Sequence, residues 1–253
     1  VKLAIAHQTR YSPRIRAVQK LITEGKIGRL LELRGRGKED HRGGGEDLWV
    51  LGTHIFDLMR IFAGEARSCF ARVTQDGRAV GPGDVKEGNE GIGPLAGDGI
   101  EATFKMENGC AAFFSSHRNM AARPSRFGLT LFGSKGVIKI HTGYLPDVHI
   151  LEDPSWEPGR TGSRWKPVSS AGIDKPEPLK NTDRPARGNG NVAIVTDLIE
   201  AIEQDRQPLG SIYQARGATE MIAAVFESHR LRAPVTLPLE NRDNPLRSLQ
   251  KRS

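Results

Sequence analysis

The sequence predicts an α+β fold, with a large mixed, mostly antiparallel sheet and helices packed on one face of it. Two observations lead to this prediction. Between residues 69 and 151, short segments of alternating apolar and polar residues follow one another with turns between them, which is typical of antiparallel strands. Segments with helical periodicity lie before and after that region, so helices and strands do not alternate as in repeated βαβ units.

The first elements are predicted by capping residues and periodicity. Residues 1–6 alternate like a strand, and Ser12 and Pro13 then supply an N-cap and a proline at the first helical position. The apolar stripe of this helix ends at Gly25 and consists of Ile15, Val18, Leu21 and Ile22. Residues 30–36 alternate again, which indicates a half-buried strand.

A glycine run, Gly43-Gly44-Gly45, comes next and is predicted to be a flexible loop. It lacks the GxGxxG or GxxxxGK[ST] spacing of a phosphate-binding loop. Glu46 and Asp47 place negative charge where it favours a helix start, and the apolar segment that follows continues to Gly64, a C-terminal cap.

The central and final elements follow from the same rules. Six strands are predicted, at 69–74, 100–106, 110–115, 127–132, 137–141 and 148–151, and Asn108-Gly109 is a hairpin signal between the second and the third. Residues 77–99 and 153–189 are predicted as long loops. Two helices are predicted at 191–205 and 212–230, with apolar faces formed by Val192, Val195, Leu198, Ile199 and Ile202 in the first and Met221, Ile222, Val225 and Phe226 in the second.

Composition excludes several classes of protein. The 253 residues carry a net charge of +7, but basic and acidic residues are interspersed and no reader motif accompanies them, so no nucleic-acid partner is expected. Cys69 and Cys110 lack the spacing of a zinc site or disulfide framework, and no metal is expected. No apolar run reaches the length of a membrane span, so no membrane partner is expected. The chain opens directly into a strand-like segment; we expect an upstream part, and a cytoplasmic location.

The pattern with the most chemical content is His54 and Asp57, which lie one helical turn apart in an otherwise apolar segment. A buried imidazole is costly without a partner. The pair is therefore either a satisfied polar contact in the core or a tuned acid and base.

Three segments together resemble the glucose–fructose oxidoreductase, inositol dehydrogenase and rhizopine-catabolism family, called Gfo/Idh/MocA. The first is RYSP at 10–13 with LITEGKIG at 21–28, and the second is LGTHIFD at 51–57. The third comprises DLIEAI at 197–202, EMIAAVFES at 220–228 and VTLP at 235–238. Their order and spacing over nearly the whole chain make the combined resemblance specific.

The resemblance implies a second domain of a Rossmann-type oxidoreductase. Residues 1–12 would be the remnant of the dinucleotide-binding domain, and residues 13–253 the C-terminal substrate-binding and oligomerisation domain. NAD or NADP would be bound mainly by the N-terminal domain, so this chain by itself is expected to be inactive. The substrate would be a small sugar-like molecule, and the protein a homo-oligomer.

The resemblance also implies roles for residues. His54 would exchange the hydroxyl proton of the substrate, while Arg10, Tyr11, Trp49 and Asp57 would contact substrate and Gln8 the nicotinamide. Each of these residues also has an alternative role. Arg10 and Tyr11 could form an interdomain contact, Trp49 could pack in the core, and Gln8 could be an exposed glutamine at the end of a strand. Ser116-His117-Arg118 ends a strand and offers hydrogen-bond donors.

One position departs from the family pattern. Family members commonly have an aspartate four residues before the catalytic histidine, where this chain has Val50. Either another acid, Asp57, Asp47 or Glu46, orients the imidazole, or the role of His54 has changed.

The predicted function is the substrate domain of an NAD(P)-dependent oxidoreductase acting by hydride transfer on a sugar, polyol or related secondary alcohol. The alternative is a non-catalytic binding or oligomerisation module on the same scaffold.

Overall fold

The computed structural model describes residues 1–179 and 186–251. Its helices are α1 Pro13–Thr23, α2 Gly45–Asp47, α3 Thr53–Ala63, α4 Ala186–Glu203, α5 Ile212–Leu231 and α6 Pro245–Gln250. Its strands are β1 Leu30–Arg36, β2 Ala66–Gln75, β3 Arg78–Ala79, β4 Lys86–Glu87, β5 Pro94–Leu95, β6 Gly99–Met106, β7 Ala111–His117, β8 Gly128–Gly133, β9 Gly136–His141, β10 Val148–Leu151, β11 Lys166–Ser169, β12 Gly172–Ile173 and β13 Val235–Thr236.

The predicted fold class is confirmed, because a large, mostly antiparallel sheet is accompanied by a few helices. The residues divide into two compact units, Val1–Leu33 with Leu129–Arg216 and Arg34–Gly128 with Gly217–Ser253. None of the helices among the described residues combines the length and the apolar character needed to cross a membrane.

The first unit combines α1 with strands β8 to β12 and helix α4. The α1 helix begins as predicted, since the Ser12 side chain accepts a hydrogen bond from the Arg14 backbone N–H at 3.1 Å. Strand β10 pairs antiparallel with β9 and with β11, and β11 pairs antiparallel with β12. The core of this unit contains the fully buried side chains of Ile15, Val18, Ile27, Leu131, Ile138 and Ile150.

The second unit places α3 against an antiparallel sheet. Strands β13, β2, β6 and β7 are neighbours in that order, and Gly109 has the positive φ of 88° that the predicted hairpin between β6 and β7 requires. The Phe56 ring on α3 packs against Phe104 and Phe114 with centroid distances of 5.3 and 5.0 Å. These contacts hold the helix that carries His54 in a fixed position on the sheet.

Two predictions about segments were wrong. Residues 1–6 do not form a strand but a single isolated bridge, in which Ala4 pairs antiparallel with Ser211. The Ile5 backbone N–H donates to the Gly210 carbonyl beside this bridge. The predicted loops at 77–99 and 153–189 contain short strands, β3 to β5 and β11 with β12, and α4 begins at Ala186. Within the second of these loops, residues 180–185 lie outside the described residues.

The predicted apolar face of α4 points to solvent. Val192, Val195, Ile199 and Ile202 are between 51% and 64% exposed. The buried face of the helix instead carries the side chains of Ile194, Asp197 and Ala201. By contrast, the predicted face of α5 is buried at Met221, Ile222, Val225 and Phe226.

Candidate active site

The helix that carries His54 is interrupted by a π-helical turn. It begins with α2, continues through a π turn at Leu48–Gly52 and ends with α3, which Gly64 caps with a φ of 76°. Such turns occur frequently at functional sites, because the wider turn changes the direction in which neighbouring side chains point. Here the π turn lies directly before the catalytic candidate.

His54 and Asp57 occupy the first turn of α3 and differ in exposure. His54 is partly exposed, whereas Asp57 is only 1% exposed. Residues three apart in a helix point to neighbouring parts of the same face. An imidazole that reaches solvent from a helix packed on the sheet is placed where it can exchange a proton with a bound molecule.

Trp49 and Val50 lie inside the π turn, and both are partly exposed. The Trp49 Nε1 atom is buried and has no hydrogen-bond acceptor among the residues that the structure describes. Apart from this unmatched donor, the indole ring is an apolar surface of the kind that packs either in a core or against a sugar ring.

Asp47, one of the acids considered for orienting His54, is held in a network with β7. Its Oδ2 accepts hydrogen bonds from the Ser116 hydroxyl at 2.5 Å and from the Glu39 backbone N–H at 3.1 Å. The carboxyl is fully buried, and this burial raises its pKa above the usual aspartate value. Gly37 lies beside it, where a Cβ would collide with Asp47 and Ser116.

Glu39 is the second buried acid of this network, which sequence reasoning missed. It is 1% exposed and has a φ of 61°, an uncommon conformation for a residue with a side chain. Its carboxylate accepts hydrogen bonds from the His117 backbone N–H at 3.1 Å, from Arg36 at 3.2 Å and from Arg126 at 3.0 Å. The sequence feature that pointed toward this network is Ser116-His117-Arg118, which ends a strand and offers hydrogen-bond donors.

The other predicted site residues belong to the first unit. Gln8, Arg10 and Tyr11 lie in a 3₁₀ turn, Gln8–Tyr11, that precedes α1. The Gln8 side-chain amide donates to Asn191 at 2.7 Å, and the Arg10 guanidinium to Gln214 at 3.4 Å. The turn is therefore connected by side chains to α4 and α5.

Tyr11 is the most firmly held of the three. Its hydroxyl donates to Asp197 Oδ2 at 3.0 Å and accepts from the Gly210 backbone N–H at 2.8 Å. Burial is the main reason that the pKa of this phenol is raised to about 12. Tyr11 and Asp197 also line a cavity of about 800 Å³ in the first unit.

The glycine run does not form a cradle for a dinucleotide. Gly43, Gly44 and Gly45 are buried, and a Cβ on any of them would collide with backbone atoms of residues 96–98 or 117–118. A phosphate-binding loop needs backbone N–H groups that open toward the ligand, which this packing does not provide. The run is thus a tightly packed connection, and not the flexible loop that the sequence predicted.

Metal and thiol chemistry have no support in the described part of the chain. No group of three or more His, Cys, Asp or Glu side chains there could hold a metal ion. Cys69 and Cys110 are both buried free thiols, and burial raises the pKa of each.

Comparisons with known proteins agree with the architecture. Residues 19–237 match the model of an oxidoreductase family, C-terminal alpha/beta domain. A curated relative, levoglucosan dehydrogenase of Pseudarthrobacter phenanthrenivorans, is 26% identical over 158 residues, which is 53% of this chain and 40% of the relative.

Solved structures share the fold at low sequence identity. A levoglucosan dehydrogenase in complex with NADH and levoglucosan is 19% identical, with a TM-score of 0.67 over 92% of this chain and 65% of that one. An aldose-aldose oxidoreductase from Caulobacter crescentus, complexed with glycerol, is 16% identical, with a TM-score of 0.65 over 93% of this chain and 64% of that one. The chain thus spans 40% of the curated relative and slightly less than two thirds of these two structures.

Proposed function

Because the chain belongs to the Gfo/Idh/MocA oxidoreductase family, whose C-terminal alpha/beta domain matches most of its length, we propose that it is the substrate domain of an NAD(P)-dependent oxidoreductase. The proposed substrate is a sugar, polyol or related secondary alcohol. Relatives whose names specify levoglucosan or aldoses support this substrate class.

The observation that carries the proposal is the placement of His54. This histidine lies directly after the π turn, on a helix whose next turns are buried against the sheet, and it keeps access to solvent. In the proposed reaction, His54 takes the proton of the substrate hydroxyl during oxidation and returns it during reduction. The nicotinamide would accept or supply the hydride.

The other residues that we propose to contact substrate or cofactor lie in two segments of the chain. Trp49 lies in the π turn before His54 and is partly exposed, so we propose that it contacts the sugar. Asp57 is 1% exposed, and its proposed role is to orient the imidazole one helical turn away.

In the 3₁₀ turn Gln8–Tyr11, Arg10 is proposed to contact substrate and Gln8 the nicotinamide. Tyr11 is 3% exposed and its hydroxyl is bonded to Asp197 and Gly210, so its proposed role is to hold this turn in place. We propose that residues 1–12 are the last part of a dinucleotide-binding domain that would hold the pyrophosphate, and that residues 13–253 are the substrate domain.

The alternative function, a non-catalytic module, is favoured by one observation. Val50 stands where family members commonly have the aspartate that partners the histidine, and Asp47 is already engaged by Ser116 and Glu39. A scaffold that binds sugars without turning them over would fit this arrangement. In either case we propose a cytoplasmic homo-oligomer.

The test is turnover of the protein expressed from its complete reading frame, with NAD⁺ or NADP⁺ and a panel that includes levoglucosan, inositol and aldoses. We expect turnover by the wild type and a loss in kcat of about 10²- to 10⁴-fold for His54→Ala. His141→Ala is the matched control, since His141 is a partly exposed histidine on β9 paired with Asp147 at 3.5 Å.

The outcomes separate the two functions. Absence of turnover with every sugar, together with measurable sugar binding, would favour the non-catalytic module. Turnover that survives His54→Ala would leave the oxidoreductase in place but remove the role of His54. A pH profile of kcat/KM that loses its near-neutral limb in His54→Ala would support proton transfer by the imidazole.

A further inference from the structure

The second unit contains a cavity that the proposed reaction does not use. It has a volume of about 460 Å³ and lies between the beginning of α2, the end of β7 and the segment that carries β4 and β5. Leu95 and Ala96 are the buried apolar part of its lining. Cavities of this size hold small molecules, and an apolar patch with a few convergent polar groups is their usual composition.

The walls of this cavity are already formed without a ligand. The Gly45 backbone N–H donates to the Gly97 carbonyl at 3.1 Å, and the Arg118 N–H to the Asp98 carbonyl at 2.8 Å. The Asp98 carboxylate in turn accepts from the backbone N–H of Asp76 at 2.9 Å. Because these bonds join four segments of the chain, binding would require little ordering of the backbone.

Arg118 is a cationic residue of the lining for which no ion pair is found among the residues that the structure describes. Its Nε is buried without an acceptor among the described residues, and its Nη2 lies 3.5 Å from the Gly97 carbonyl, at the limit of a hydrogen bond. By contrast, Arg42 and Arg126 pair with Asp40 and Glu39 at 2.8 and 3.0 Å. The planar guanidinium presents the fork that matches a carboxylate.

The acids of the lining limit the charge that a ligand can carry. Glu46 accepts a hydrogen bond from Asn89 at 3.4 Å, and Glu87 lies 3.6 Å from Arg247. Both carboxylates would repel a dianion such as a phosphate monoester, whereas they can accept hydrogen bonds from hydroxyl groups. The exposed Lys86 adds a second positive charge.

We propose that this cavity binds a small polyhydroxy monocarboxylate, with the carboxylate on Arg118 and hydroxyl groups on Glu46 and Asn89. One negative charge satisfies the guanidinium, and the hydroxyls match the acceptors and amide that line the rest of the wall. His54 is not among the residues that line this cavity, and binding there needs no nicotinamide.

The test compares gluconate with sorbitol by isothermal titration of the purified chain without cofactor. The two molecules share a six-carbon hydroxylated chain and differ in the carboxylate. We expect gluconate to bind more tightly than sorbitol, and Arg118→Gln to weaken gluconate by about tenfold or more without changing sorbitol. Arg72→Gln, an exposed arginine of β2 outside the cavity lining, is the control and should bind like the wild type.

Circular dichroism and thermal unfolding establish whether each variant is folded. If Arg118→Gln does not fold, Lys86→Gln takes its place, because Lys86 is exposed and its loss should weaken gluconate selectively by a smaller factor. The proposal fails if gluconate does not bind, if sorbitol binds equally well, or if inorganic phosphate displaces gluconate at a lower concentration. Because no turnover is measured, each of these failures is independent of the proposed oxidoreductase function.

Discussion

Replacing Tyr11 by phenylalanine tests whether the hydroxyl of this residue anchors the turn that carries Gln8 and Arg10. Tyr11 is 3% exposed, and its hydroxyl joins two partners that lie about 200 residues away in sequence, Asp197 and Gly210. Asp197 also accepts from Arg206 and from the Leu209 backbone N–H, both at 2.7 Å. The carboxylate therefore stays partnered in the variant, whereas the buried Gly210 N–H loses its acceptor.

The magnitude follows from these two changes. A hydrogen bond to a charged group contributes about 1.5–3 kcal/mol, and a buried N–H without an acceptor costs about 1–3 kcal/mol. Part of each loss is recovered when the site relaxes, so we expect Tyr11→Phe to lower the free energy of unfolding by about 2–4 kcal/mol. An exposed substitution would change it by only about 0.5 kcal/mol.

The pH dependence gives a second signature. Because the pKa of Tyr11 rises from 10.0 to about 12 on folding, its contribution to stability is complete below pH 10 and is lost as the pH rises toward 12. Two pKa units correspond to about 2–3 kcal/mol. The phenylalanine variant cannot ionise, so its stability should lack this component of the alkaline decline.

The assay is urea unfolding followed by circular dichroism, at pH 7 and in steps from pH 9 to 12. A double-mutant cycle with Asp197→Asn isolates the coupling between the two side chains, for which we expect about 1–2 kcal/mol. A loss below about 0.5 kcal/mol at pH 7, with no coupling, would refute the anchoring role. A rise in KM without loss of stability would show instead that the hydroxyl binds substrate.

Two further predictions concern the second unit. Asp47→Asn should cost less than about 1 kcal/mol because it keeps an acceptor for Ser116 and Glu39, whereas Asp47→Ala should cost about 2–4 kcal/mol in urea unfolding. Burial raises the pKa of Asp47 above its pKa in the unfolded chain, so the wild type should lose stability relative to Asp47→Asn as the pH rises through the raised pKa. The opposite trend would contradict a raised pKa for this carboxyl. Phe70 is 53% exposed and shares a cross-strand row with Thr103 and Phe113. Phe70→Glu should therefore dissociate the proposed oligomer, as measured by light scattering, while the fold is retained. A wild type that is already monomeric would contradict this prediction.

Local features of the fold could be predicted because the signals lie within a few residues of each other. Ser12 and Pro13 begin α1, the limits of β1 are those of the alternating segment, and Asn108-Gly109 closes the hairpin between β6 and β7. The helix that carries His54 was also found from local residues. Its π turn was not, since apolar spacing alone does not distinguish a wide turn from a regular one.

The candidate site was predictable only in part, and α4 shows why. Its apolar stripe has the spacing of a buried face, yet Val192 and Ile199 are exposed while Asp197 is buried and bonded to Tyr11. Periodicity identifies that a face is apolar, but the side of the helix that packs inward depends on which segments lie beside it.

The sequence by itself determined the α+β class, the family and the helix bearing the candidate histidine, because these follow from local periodicity, capping and motif order. Only the tertiary structure decided that the Asp47 carboxyl accepts a hydrogen bond from Ser116, 69 residues away, and that the Tyr11 hydroxyl donates one to Asp197, 186 residues away. The same holds for Arg118, which lines a cavity and whose Nε has no acceptor among the described residues. Such pairings depend on how distant segments are brought together when the core is buried, and no short stretch of sequence specifies the partner.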